Sequence, residues 1–525
     1  MAAVHGIALD GLAGRPVEVE VDIASGLSAT VVVGLADTTV SEARNRVRSA
    51  VVNSGTAWPD TRVTINLAPS SLPKSGSHYD LAMGLAVFAA KQLVPAEVLR
   101  ATVYVGELAL DGRLRAVHGV LPATLAAAEA GFERVFVPEA NVAEAALVPG
   151  VDVVGVRSLR QVVAMLRGED EPDDPPVPAL VEPADDRWNM AGPAADLDLA
   201  DVAGQEDARL ATVIAATGGH HLLMSGPPGV GKTMLAQRLP ALLPDLDHAA
   251  SLEVSAIHSL AGVLPRDLPM LVRPPFLEPH HTASAVSVVG GGSRAVRPGA
   301  MSLAHHGVLF LDEAPEFAVN VLEALRQPLE SGHVVVSRAA QTAVFPARFQ
   351  LVLATNPCPC GHAGSVMQRC ECTAPMRRRY VDRISGPVRD RIDIHRTLVE
   401  PRRRDVADDL NHRVGTAALR ELVTAGRRRQ RDRYAGTPWT VNSSVPGVEL
   451  RKYWPPTEDG ARLVERQLRA HQLTPRSADR VLRLAWSVAD LSGHDRPTEE
   501  DVATALDLRR GSAIGGAVRR VVEAA

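Results

Sequence analysis

The sequence predicts an α/β protein: a P-loop core on a parallel sheet, an α/β unit before it and a helical unit after it. Three observations carry this. Gly226, Pro227, Pro228, Gly229, Val230, Gly231, Lys232 and Thr233 follow the apolar run 221–225 and lead into a helical pattern through Met234, Leu235 and Leu239, the strand, loop and helix order of a phosphate-binding loop. Residues 307–313 put four apolar side chains ahead of Asp312 and Glu313, as a buried strand does when it delivers carboxylates at its C-terminal end. Before residue 167 strand-like and helix-like segments alternate, whereas beyond 400 the period is helical.

The 525 residues allow three or four domains. A hydrophobic content of 46% is ample for packed cores, and no apolar run reaches the roughly 18 residues of a membrane span. The N-terminus lacks the basic and apolar regions of a secretory signal, so a cytoplasmic location is expected. The formal net charge of -5 gives no global nucleic-acid signal, and 3% aromatics argue against base stacking as the main mode of recognition.

The first unit is expected over 1–167. Residues 17–23 alternate as a half-buried strand and 29–33 read as its buried neighbour. A helix is expected over 39–53, a strand over 62–67 and a helix over 80–90, with further segments at 102–105, 119–130, 134–137 and 151–156. Residues 67–82 and 105–112 resemble the Lon-type serine protease domain. The resemblance implies a nucleophilic serine where this chain has His78, and a lysine near Leu121 where it has none. A serine nucleophile needs a base beside it, so a protease-like scaffold without protease activity is expected; Ser75 and Ser77 are the candidates if the alignment shifts. Lys74, Arg44, Arg46 and Arg48 offer a surface for DNA or a neighbouring subunit, or an ordinary solvated face.

Residues 168–196 are acidic and Pro-rich and read as a linker; the ATPase core follows at 197–400 and a helical lid at 401–525. In the core, Gly226 to Thr233 would cradle phosphates through backbone N–H groups, with Lys232 on the β- and γ-phosphates, Thr233 and Asp312 on Mg²⁺, and Glu313 polarising the attacking water. Asn356 ends a third strand, 349–356, and resembles the water-orienting sensor of the AAA+ ATPases. Residues 384–393 resemble the AAA+ segment that presents an arginine finger to the next subunit, which implies that role for Arg391 and a ring, by resemblance a hexamer. The alternative for Arg391 is an intradomain salt bridge. Arg476, after the cap at Thr474 and Pro475, matches the sensor arginine of the AAA+ lid, and Thr498 has the look of a capping box.

Residues 273–284, 290–292, 298–307 and 325–338 look like the magnesium-chelatase-like AAA+ group. With the Lon-like unit attached, nearly the whole chain resembles the ComM/YifB family. That resemblance implies a hexameric DNA helicase driving branch migration in recombination of incoming DNA. His333 and Arg338 lie in a predicted hairpin, 333–344, that in related motors projects into the pore, and are the candidate DNA contacts. Arginines at 377–379, 402–404 and 427–431 form three basic clusters suited to phosphates. Cys358, Cys360, Cys370 and Cys372, the four cysteines of the chain, suit structural zinc, free buried thiols or a redox pair. The alternative functions are the ATPase motor of a magnesium chelatase, a protein-remodelling ATPase and an ATP-dependent protease.

Overall fold

The structure, a computed structural model, describes residues 2–34, 38–72, 74, 76–178, 189–190, 197–265, 267–292, 296–337, 342–364, 369–401 and 414–524. Its first part is a sheet of seven strands. β1 (Ala2–Asp10), β2 (Ala13–Ala24), β3 (Ala29–Val33), α1 (Thr38–Asn53), β4 (Arg62–Ala68), α2 (Asp80–Ala90), β5 (Thr102–Tyr104), α3 (Val120–Glu129), β6 (Arg134–Pro138), β7 (Asp152–Val156) and α4 (Leu159–Arg167) follow in order. The strands lie as β3-β4-β2-β1-β5-β6-β7; β1 is antiparallel to β2 and β2 to β4, and the remaining neighbours are parallel. Val4, Val19, Ile65 and Leu67 pack one face against α1 and α2, while Ile7, Val103 and Val135 pack the other beneath α3.

Three features depart from the expectations. β3 is neither buried nor beside β2. It is the edge strand beyond β4, with Val31 and Val33 exposed. β1 gave no clear signal, because its alanines and glycine dilute the alternation that marks a strand, yet it occupies the middle of the sheet. The supposed linker begins as a packed strap: Asp174 is buried, accepts from Ser158 and Arg160, and is followed by Val177 in the core. The rest of that acidic stretch, apart from Asn189 and Met190, lies outside the described residues.

The second sheet holds the P-loop. Its elements are α5 (Glu206–Gly218), β8 (Leu222–Ser225), α6 (Lys232–Leu242), α7 (His248–Ala261), β9 (Phe276–Glu278), β10 (Val308–Leu311), the hairpin β11 (His333–Ser337) and β12 (Thr342–Pro346), β13 (Gln350–Thr355), α8 (Ala374–Val381) and β14 (Ile394–Thr397). From the antiparallel edge Asn189–Met190 the order is β9-β10-β13-β8-β14, all parallel. Both faces are covered, so every residue of β10 and β13 is buried, as central parallel strands require. Leu222, Met224, Phe310 and Val352 face the C-terminal helices, and Leu223, Leu309, Leu311 and Leu353 face the opposite core.

The C-terminal part is helical: α9 (Thr416–Arg433), α10 (Glu458–Arg469), α11 (Pro475–Ser492) and α12 (Glu499–Arg510). Thr474 caps α11, and Thr498 with Asp501 forms the capping box of α12. α9 and α11 pack on α5. The first sheet docks on the second through α3 against α7, where Gly119 N donates to Ser259 O at 3.1 Å. None of the described helices is long and apolar enough to cross a membrane.

Candidate nucleotide site

The C-terminal edge of the second sheet gathers the polar residues. β8 ends at Ser225, and the loop turns through Gly229 and Gly231 at φ +79° and +98°, conformations that glycine adopts without a Cβ penalty. α6 starts at Lys232, so its unpaired first-turn amides face the loop. The Lys232 ammonium donates to Gly226 O at 2.6 Å, Pro227 O at 2.8 Å and Asn356 Oδ1 at 3.1 Å. Burial lowers its pKa, against the opposing pull of Asp312 and Glu313.

Thr233 donates its hydroxyl to Asp312 Oδ2 at 2.7 Å. Glu278 stands close enough for Asp312 to add to the burial that raises its carboxyl pKa. An all-oxygen set of this kind fits Mg²⁺. Glu313 follows at φ 49°, a left-handed backbone that a non-glycine residue adopts at a cost. Its carboxylate lies 3.5 Å from His281 Nδ1. Gln205 supports the loop by donating to Val230 O and Val399 O.

The two arginines sit elsewhere. Arg391 lies two residues before Asp393 and three before β14, so it sits at the N-terminal edge of the sheet, roughly 13 Å from the loop edge by the rise of the four residues of β8. Its side chain is buried, pairs with Glu330 and donates to Pro387 O at 2.6 Å. Arg476 reaches the same Glu330 oxygen at 2.7 Å and Asp390 at 3.2 Å. Within one chain Arg391 thus makes the intradomain salt bridge that the sequence leaves as its alternative, and Arg476 shares that partner rather than facing its own phosphate loop. Glu330, which joins them, carries no motif that marks it in the sequence.

Comparison with known proteins follows the same layout. The family descriptions "Subunit ChlI of Mg-chelatase", "Magnesium chelatase, subunit ChlI" and "Magnesium chelatase, subunit ChlI C-terminal" match residues 19–141, 198–406 and 413–509. The chain is 47% identical over 507 residues to a protein of Mycobacterium tuberculosis, covering 97% of this chain and 98% of that one. It is 40% identical over 509 residues to YifB of Salmonella typhimurium and 38% identical over 511 residues to competence protein ComM of Haemophilus influenzae, each covering 97% of both chains. The chain belongs to the ComM/YifB family of magnesium-chelatase-like proteins. AAA+-like proteins of this kind are ATPases that use ATP with Mg²⁺ and are often oligomeric.

In this ComM/YifB chain the nucleic-acid candidates separate. Arg338 and the arginines at 402–404 lie outside the described residues. His333 sits at the base of the β11–β12 hairpin, opposite Pro346, with Nδ1 3.0 Å from Ser331 O. The 427–431 cluster divides: Arg427 donates to Ala216 O at the end of α5 and Arg429 to Asp490 O, whereas Arg428 and Arg431 are exposed. Arg377, Arg378 and Arg379 are exposed on α8. In the first sheet Arg44 and Arg48 are exposed, whereas Lys74 is buried against Pro69 O and Arg46 pairs with buried Asp80 at 2.8 Å. Lys74 and Arg46 are thus engaged within the chain, while Arg44 and Arg48 stay exposed one turn apart on α1.

The serine-protease positions are equally distinct. His78 is half-buried, with Nε2 2.9 Å from Ile7 O and its pKa pushed down to about 4 by desolvation. Ser77 donates to Glu107, while Ser75 lies outside the described residues. Position 122, next to Leu121 on α3, is proline. The four cysteines are free and their sulfurs converge directly after Asn356.

Proposed function

We propose that this chain is an ATP-driven DNA translocase that works as a ring, by family resemblance a hexamer, and promotes branch migration when incoming DNA recombines. The reading keeps 1–167 as a Lon-like unit without protease activity, 168–196 as connection, 197–400 as AAA+ core and 401–525 as lid, in a cytoplasmic protein. The observation that carries it is the division of the ATPase residues between two edges of one sheet. Lys232, Thr233, Asp312, Glu313 and Asn356 gather at one edge, and Arg391 and Arg476 at the other. A parallel sheet has its two edges on opposite sides, so a complete site needs one edge from each of two subunits.

In that site the loop amides and Lys232 bind the β- and γ-phosphates, and Thr233 and Asp312 hold Mg²⁺. Bound Mg²⁺ neutralises charge on the phosphate oxygens. Glu313 accepts a proton from the attacking water, and Asn356 holds Lys232 in register. The neighbour's Arg391 and Arg476 exchange Glu330 for the γ-phosphate, coupling turnover to movement between subunits. The hairpin with His333 and Arg338 and the exposed arginines of α8 are the proposed DNA contacts. Support for DNA comes from the full-length likeness to a competence protein.

The deciding experiment is ATP-dependent dissociation of a synthetic four-way DNA junction by the chain, Lys232→Ala and Glu313→Gln. Dissociation by the parent alone supports the reading; an intact junction despite active ATP turnover contradicts it. A chelatase-type or protein-remodelling motor is the second reading, favoured by three family descriptions that all name a chelatase subunit. It expects ATP turnover indifferent to DNA.

A further inference from the structure

We propose that Cys358, Cys360, Cys370 and Cys372 hold one zinc ion that fixes the phosphate loop from outside, so that metal occupancy sets the affinity for nucleotide. The four sulfurs lie within 4.8 Å of one another. Cys358 is 3.3 Å from Cys360 and 3.7 Å from Cys370, and Cys360 is 3.7 Å from Cys370. Tetrahedral zinc with Zn–S bonds of about 2.3 Å needs sulfurs about 3.8 Å apart. Three of the four side chains are half-exposed, which does not suit thiols serving as core packing. The donor set is all sulfur, the set that zinc takes in closed structural sites.

The position gives the metal its role. Asn356, which holds Lys232, is two residues before the first ligand. Gly361, one residue after Cys360 and at φ +81°, lies so close to Pro228 of the phosphate loop that a Cβ there would sit 2.9 Å from its ring carbons. Among the described residues, 357–372 contain no helix or strand; the turn in which Gly361 N donates to Cys358 O at 2.9 Å holds this contact, and a metal cross-link locks it. Cys372 then leads through the cap Thr373 into α8 and its exposed arginines, so the same centre anchors both loop and basic helix.

The test uses the full chain purified without chelator. Emission spectroscopy is expected to find one zinc per chain, and Co²⁺ put in its place to give sulfur-to-cobalt charge-transfer absorption with tetrahedral d–d bands. Binding of a fluorescent ATP analogue is expected to weaken roughly tenfold on zinc removal and return on adding Zn²⁺, with far-UV circular dichroism unchanged. Gly361→Ala, which keeps all four thiols, is expected to retain zinc and bind the analogue more weakly. The proposal falls if no zinc and no cobalt–thiolate absorption is found, or if loaded and stripped chains bind the analogue equally. Because it rests on the nucleotide reading, absence of binding by both forms contradicts that reading as well.

Discussion

Glu313 combines a left-handed backbone, which a non-glycine residue adopts at a cost, with a carboxylate 3.5 Å from His281. Replacing it with glutamine keeps size and removes the base. The expected outcome is retained binding of a fluorescent ATP analogue with turnover lowered by about 10² to 10⁴. Arg391→Ala and Arg476→Ala remove charge that the account assigns to the neighbour's site, and loss of a finger arginine costs about 10³ or more in turnover. Mixing Arg391→Ala with Lys232→Ala subunits should recover part of that turnover, because some interfaces then pair an intact loop with an intact arginine; additive inactivity would contradict action between subunits. The phosphate loop and Asp312 were legible in the sequence because each is a local pattern whose spacing carries its chemistry. Glu330 was not, since its two arginines lie 61 and 146 positions away and nothing local marks it.

Among the elements, the C-terminal helix α11 is tied to the edge strand β14 of the second sheet by Asp393. Its carboxylate receives Arg480 of α11 at 2.7 Å and lies 3.2 Å from His220 Nδ1, whose other nitrogen is 2.7 Å from Ser487. Burial alone would raise this carboxyl, but His220 and Arg480 override it and hold the pKa well below the ordinary value. Such a depressed pKa contributes stability above the unfolded value, about 3.9, and loses it as pH falls through the folded value. Asp393→Asn leaves Arg480 buried without its charge, and a loss of about 3 to 5 kcal/mol is expected in urea unfolding at pH 7. The gap from the parent should narrow below about pH 4; a constant gap would show that the charge is not the cause. The caps at Thr474 and Thr498 were readable because an N-cap and its N3 partner form a four-residue pattern. Arg427 and Arg429 meet backbone carbonyls of the folded chain, and charge density alone does not distinguish a phosphate contact from a carbonyl brought near by folding. β1 escaped notice for the opposite reason, its place in the sheet being set by neighbours that no short window contains.

For the whole molecule, the first sheet leans on the β11–β12 hairpin that follows the second sheet's β10. Gly11, at the β1–β2 turn with φ +65°, lies against the backbone of β12, where a Cβ would stand 2.7 Å from Val344 O. Gly11→Ala should displace this contact, keep basal ATP turnover and reduce junction dissociation; equal loss of both activities would place its effect on folding instead. The order of units was visible in composition and period, while the docking of α3 on α7 was not, since interdomain contacts leave no periodicity of their own. In the proposed ring, nucleotide turnover drives movement on DNA. The most direct test of this coupling is the rate of ATP hydrolysis by the full chain with and without four-way junction DNA, with Lys232→Ala as the blank. Faster hydrolysis with DNA and none by the variant is expected; equal rates with and without DNA would contradict coupling of turnover to DNA.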